Sequence, residues 1–68
     1  MKIFIQIPCF NEEQQLQNTI TQIKKSVDPN KYNYEIIVID DGSTDKTKQI
    51  AKDNGIKKII SLIVMNYL

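Results

Sequence analysis

The stretch that most limits what this chain can fold into is Ile36-Ile37-Val38-Ile39, followed without a spacer by Asp40-Asp41-Gly42-Ser43-Thr44-Asp45. Consecutive β-branched residues fit the pleat of a strand, and an unbroken apolar run suits a parallel strand buried on both faces. The polar cluster then falls at the carboxyl end of that strand, where open α/β sheets bind their ligands. The N-terminus repeats the pattern, with Lys2-Ile3-Phe4-Ile5-Gln6-Ile7 running into Pro8-Cys9-Phe10-Asn11-Glu12-Glu13. Two polar strand ends, one repeat apart, point to a single site between them.

The intervening segments supply the helices that such a sheet needs. Leu16, Ile20, Ile23 and Val27 recur at four- and three-residue steps and make one apolar helical face. Asn11 is placed as the N-cap of this first helix, with Glu12 and Glu13 at its positive end. Asp28-Pro29-Asn30 stops it, since proline disfavours helical geometry in the residue before it. The second strand then runs from about Glu35 to Asp40. Ser43 or Thr44 can cap a second helix with Asp45 in its first turn, Ile50 and Ala51 on its apolar face, and Gly55 as a left-handed C-terminal cap. A third strand follows from about Ile56 to Ile63. The expected fold is α/β, a β-α-β-α-β unit whose right-handed crossovers make a three-stranded parallel sheet.

Composition removes several functions. A chain of 68 residues makes one small domain that buries only about 60% of its unfolded surface. The net charge is +1, without the basic excess that nucleic-acid binding requires. All nine basic residues are lysines, so no arginine fork is present to clamp a phosphate. The absence of histidine removes Ser-His and Cys-His nucleophiles and the usual zinc sites. Cys9 is the only cysteine; it is either a thiol nucleophile or, with no histidine to activate it, a small residue packed at a strand end. No internal disulfide can form, no signal peptide is visible, and the apolar run from Ile59 to Leu68 falls short of the roughly 20 residues that span a bilayer. The chain therefore reads as soluble and cytoplasmic, with no membrane segment.

A carboxylate at a strand end can accept hydrogen bonds from a ribose hydroxyl or a base N–H. Gly42 allows a tight turn and close approach of backbone to ligand, and Phe10 offers a flat surface for a base. The plainer alternative is that Asp41-Gly42-Ser43 is a turn with a helix cap and that Phe10 belongs to the core. Asp40 and Asp41 together weigh against it, because adjacent carboxylates repel and need solvent, a cation or donors. Successive strand residues face opposite ways, so one of them can meet a ligand while the other turns to backbone donors. Neither Gly-x-Gly-x-x-Gly nor a Gly-Lys-Ser/Thr P-loop is present. A phosphoacceptor receiver domain would carry its acidic pair after the first strand instead of the second.

Ile7-Pro8-Cys9-Phe10-Asn11-Glu12-Glu13 and Ile39-Asp40-Asp41-Gly42-Ser43-Thr44-Asp45-Lys46-Thr47 together resemble the start of a family 2 glycosyltransferase. The nearest likeness is to the branch of dolichyl- and polyprenyl-phosphate mannosyltransferases and bactoprenol glucosyltransferases. The resemblance covers residues 2 to 55 and implies a GT-A fold, a Rossmann-like sheet that binds a nucleotide-sugar donor. It places Pro8, Phe10, Glu12, Ile39 and Asp41 around the nucleoside, with the Phe10 ring near the base where a tyrosine is common and Asp41 on the base or ribose. Asn11, Asp40, Gly42 and Ser43 support the turns. Glu12 alternatively stabilises a helix dipole.

The family also uses an Asp-x-Asp motif to hold Mg2+ or Mn2+ on the donor diphosphate, and a later carboxylate as base. Neither motif is found in these 68 residues, so no catalytic residue and no cofactor is assigned to this chain. Where the family continues into an Asn-x-Gly loop, this chain reads Ser61-Leu62-Ile63-Val64-Met65-Asn66-Tyr67-Leu68. That tail reads as an extended third strand, a frameshifted end or a truncation. The expectation is a single truncated domain over residues 1–68, of marginal stability, which binds the nucleoside of a UDP- or GDP-sugar for transfer to a lipid-phosphate or saccharide acceptor. The alternative is a catalytically inactive remnant or small interaction module, self-associating through its open sheet edge.

Overall fold

A computed structural model describes residues 1–62 of the chain. Strand β1 (Lys2–Cys9) leads to helix α1 (Leu16–Ser26), strand β2 (Asn33–Asp40), helix α2 (Thr47–Asp53) and strand β3 (Lys58–Ser61). The three strands form one parallel sheet in the order β1-β2-β3. This is the expected β-α-β-α-β unit, a partial Rossmann-like sheet. β2 starts two residues before the expected Glu35, and β3 two residues after the expected Ile56. The tail from Ile63 to Leu68, on which the extended-strand, frameshift and truncation readings fall, lies outside the described residues.

One face of the sheet carries both helices. Ile36 and Val38 of β2 pack with Cys9 of β1, Leu16 and Ile20 of α1, Ala51 of α2 and Ile56. Ile7, Ile23, Tyr34, Ile50 and Ile59 close around this cluster. Each fully buried aliphatic side chain in it contributes about 1.5–3 kcal/mol. The Ile36–Ile39 run is buried on both faces as expected, except at Ile39, which is half-buried. Ile37 is 9% exposed but lies outside the helix-covered cluster, flanked instead by Gln6 on β1 and Lys58 on β3.

The opposite face is held by charge and edge contacts. Glu35 accepts ion pairs from Lys2 at 3.2 Å and Lys58 at 3.4 Å, and both ammonium groups stand over the Phe4 ring, at 5.6 and 5.1 Å from its centre. The hydrogen bond from Lys2 is the largest influence on Glu35 and holds its carboxyl below the usual range. Phe4, Ile60 and Leu62 are each close to half exposed on the described surface.

The far end of α2 turns as expected. Gly55 adopts φ +78°; its N–H donates to Lys52 and that of Ile56 to Ala51. This paired arrangement satisfies the helix's last carbonyls and delivers Ile56 into the core.

Candidate functional site

The register carries the two polar strand ends to one place. Pro8 stands opposite Ile39 and Cys9 opposite Asp40, so Phe10 and Asp41 follow directly from a paired position. The Asp41 N–H donates to the Cys9 carbonyl at 2.9 Å, extending the ladder one bond past the strands. On the other side, the Leu62 N–H donates to the Asp40 carbonyl at 2.8 Å.

Beyond that point the chains leave the sheet and bind each other by side chains. Asn11 takes a left-handed conformation, φ +50°, which a short polar side chain tolerates better than most. Its N–H donates to Ser43 Oγ at 2.9 Å, and its Oδ1 accepts the Thr44 N–H at 2.9 Å. Ser43 in turn donates its N–H (3.3 Å) and its hydroxyl to Asp40 Oδ1. Gly42 sits at φ +79° with nothing near where a Cβ would stand. Its glycine therefore serves the turn geometry, and the space above it is open.

These contacts revise the expected caps. α1 begins at Leu16, and neither its N-cap, Gln15, nor the first turn carries a capping side chain or an acid. Asn11 is thus not a helix cap, and Glu12 and Glu13 lie before the helix, in a turn closed by the Gln15 and Leu16 N–H groups on the Glu12 carbonyl. The left-handed kink at Asn11 swings the chain aside and delays the helix. Likewise α2 begins at Thr47 after Lys46. Ser43 and Thr44 do not cap it: Ser43 is engaged with Asp40 and Asn11, the Thr44 N–H with Asn11 Oδ1, and Asp45 Oδ1 accepts the Thr47 N–H. The alternative of a plain turn and helix cap at Asp41-Gly42-Ser43 fails for the same reason.

Burial then sorts the expected site residues. Phe10 is 58% exposed, so it does not belong to the core. Asp41 and Pro8 are exposed, and Ile39 and Glu12 half-buried. Pro8 and Glu12 line a shallow depression of about 250 Å³ along β1 and α1. A second, of about 180 Å³, is bordered by Asn11, Glu12, Glu13 and Asp45. Asp40, by contrast, is fully buried. Its Oδ2 makes no hydrogen bond, and the Lys48 ammonium stands 3.9 Å away. A buried carboxylate oxygen left in this state is costly unless a cation is near.

Cys9 is 3% exposed, and its thiol donates to the Ile7 carbonyl at 3.6 Å. Burial first, then the carboxylates of Glu12 and Asp40, push its pKa up. A protonated, buried thiol is a packing residue, not a nucleophile. For Asp45, burial pulls the carboxyl upward, but hydrogen bonds from Thr47 and the Glu13 N–H outweigh it and hold the group below the usual range.

Sequence reasoning missed Asp45 and Thr47 as parts of the site. Thr47 is fully buried, and its Oγ1 accepts the Glu12 N–H at 2.9 Å. The available signal was a hydroxyl two residues after an acid in the loop that follows β2. No three His, Cys, Asp or Glu side chains come together to hold a metal among the described residues. Asp40 Oδ1 and both oxygens of Asp45 are instead hydrogen-bonded by Ser43, Thr47 and the Glu13 N–H.

The fold and the site define a class: a parallel α/β unit whose polar groups gather at the carboxyl ends of adjacent strands. The family model described as glycosyl transferase family 2 matches residues 4–64, and the chain belongs to that family. It is 44% identical over 55 residues to an uncharacterized protein of Methanocaldococcus jannaschii, covering 81% of this chain and 21% of that protein. It is 33% identical to an undecaprenyl-phosphate 4-deoxy-4-formamido-L-arabinose transferase of Aeromonas hydrophila, over 96% of this chain and 21% of the relative. It is also 33% identical to a dolichol-phosphate mannosyltransferase of Pyrococcus furiosus, over 93% of this chain and 17% of the relative. The chain thus spans about a fifth of the length of these relatives. No solved structure matches it. No helix among the described residues is long and apolar enough to cross a membrane.

Proposed function

We propose that this chain binds the nucleoside half of a nucleotide-sugar donor, as part of a glycosyltransferase that passes the sugar to a lipid-phosphate or saccharide acceptor. The observation that carries the reading is the exposure of the Phe10 ring and the Asp41 carboxylate at adjoining strand ends, immediately after the Cys9–Asp40 pair. An exposed aromatic face suits a base, and base stacking on such a ring is worth about 1–3 kcal/mol. A carboxylate beside it accepts from ribose hydroxyls or a base N–H. In this reading Pro8, Ile39 and Glu12 form the walls of the pocket, and Asn11, Asp40, Gly42 and Ser43 shape its loops. The two relatives named as polyprenyl- and dolichol-phosphate sugar transferases support the acceptor class.

Titration with UDP and GDP, followed by backbone NMR, tests this. The expected result is saturable shifts at Phe10 and Asp41; none at millimolar nucleotide refutes the reading. A second reading, an interaction module associating through the sheet, is favoured by Phe4, Ile60 and Leu62 on the described surface. Light scattering that shows a monomer at high concentration would exclude it.

A further inference from the structure

We propose that Thr47 and Asp45 are positioning residues that set the place of Glu12 and Glu13 at the nucleoside pocket, an inference that rests on the nucleoside reading above. The two loops are joined here over a separation of more than thirty residues. The Glu12 N–H donates to Thr47 Oγ1 at 2.9 Å, and the Glu13 N–H to Asp45 Oδ2 at 3.2 Å. In the other direction the Lys46 N–H donates to Glu13 Oε2 at 3.4 Å. Asp45 Oδ1 accepts both the Thr47 N–H, at 2.9 Å, and the Thr47 hydroxyl proton.

The hydroxyl of Thr47 is therefore fully committed. It gives its proton to Asp45 and receives the Glu12 N–H, so its orientation is fixed from both sides. Thr47 is 0% exposed, which leaves no water to replace it when it is removed. A helix N-terminus alone would ask only for a cap on its own N–H groups. Here Asp45 Oδ1 meets the Thr47 N–H, and beyond that the Thr47 hydroxyl and Asp45 Oδ2 also accept N–H groups of the β1–α1 loop. With Asn11, Ser43 and Thr44 as one clasp and Glu12, Glu13, Asp45 and Thr47 as another, the segment carrying Glu12 is pinned on both sides. Its place relative to Phe10 and Asp41 is thereby fixed before a ligand arrives, which reduces the ordering cost of binding.

The test is a substitution pair at Thr47, read by UDP and GDP affinity in NMR titrations at a temperature where each variant is folded. Thr47→Val keeps the shape and removes the hydroxyl; Thr47→Ser keeps the hydroxyl. The Val variant is expected to bind about tenfold more weakly and to lose hydrogen-exchange protection at the Glu12 N–H, while the Ser variant stays within about twofold of wild type. A folded Val variant that binds like wild type overturns the proposal, as does a Ser variant as weak as Val. Should the Val variant not fold, Asp45→Asn takes its place, with weakened binding and an unprotected Glu13 N–H as the expected result and unchanged binding as the refuting one. Failure of the wild-type chain to bind either nucleotide refutes the nucleoside reading itself, and this proposal with it. Binding by wild type with no effect of the variants refutes only the positioning role.

Discussion

Asn11 offers a way to separate backbone geometry from hydrogen bonding at the loop junction. Its φ of +50° places it in the left-handed region, and its Oδ1 accepts the Thr44 N–H at 2.9 Å from an exposed position. Asn11→Gly removes the acceptor but is at ease with the backbone; the lost hydrogen bond costs about 0.5–1 kcal/mol. Asn11→Ala loses the same bond and must also hold a Cβ in the left-handed region, a further cost of about 1 kcal/mol. The Asn11 N–H bond to Ser43 survives both changes, since it belongs to the backbone. Asn11→Asp keeps an acceptor and serves as the control. In a domain this size about 1 kcal/mol lowers Tm by roughly 4–8 °C. The expected order of stability is wild type and Asp, then Gly, then Ala, with Ala about 1 kcal/mol below Gly. Urea unfolding followed by far-UV circular dichroism reads the order directly. Equal stability of the Gly and Ala variants, or Ala above Gly, would show that the backbone at position 11 is not left-handed. A Gly variant as stable as wild type would show that the Thr44 bond contributes nothing.

Three further outcomes follow from the core and the titrating groups. Ile20→Ala empties a position 1% exposed and is expected to cost about 2–5 kcal/mol, enough to unfold much of so small a domain. Ile60→Ala, at a half-exposed position, should change stability far less; comparable losses in urea melts would refute the placement of the core. The carboxyls of Asp45 and Glu35 are held below their usual range in the fold, so their contribution is complete above their unfolded values, about 3.9 and 4.3, and fades as pH falls through the lower folded ones. Acid titration should therefore show stability declining from about pH 4–5 downward, and Asp45→Asn should blunt that decline; an unchanged acid limb in that variant would contradict the assignment. The raised pKa of Cys9 has the opposite sign: its contribution is complete below the thiol's unfolded value of about 8.5 and is lost as pH rises through the folded one. Thiol reagents at pH 7 should then label Cys9 only as fast as the chain opens, and rapid labelling under native conditions would refute its burial.

The parts of the fold that were legible are those whose cause is local. Ile36 to Ile39 made a strand because of branching at four successive residues, and Gly55 ended α2 because its φ of +78° is cheap only for glycine. Leu16, Ile20 and Ile23 share a face because helical spacing requires it. Which face the helices cover was not legible, because a run of four apolar residues is silent on it, and Ile37 is buried outside the helix-covered cluster. The caps were misread for a related reason. Asn11 and Ser43 have the chemistry of helix caps, but the same oxygens can accept an N–H from a distant loop. That partner lies more than thirty residues away, and nothing local distinguishes the two uses.

The misread caps bear on function more than the correct strands do. Had Asn11, Ser43 and Thr44 capped helices, the two polar loops would be independent, each free to move with its own helix. Instead their hydrogen-bonding groups are spent on each other: Asn11 on Ser43 and Thr44, Glu13 on Asp45 and Lys46, Glu12 through its N–H on Thr47. Asp40 completes the set from below, buried and bonded to Ser43. This division of labour leaves the Phe10 ring and the Asp41 carboxylate exposed at the junction. Neighbouring residues in one motif thus carry opposite duties, because successive positions past a strand end face opposite ways. Asp40 and Asp41 make the contrast plainest: identical side chains, adjacent in sequence, one fully buried as a strut and the other exposed.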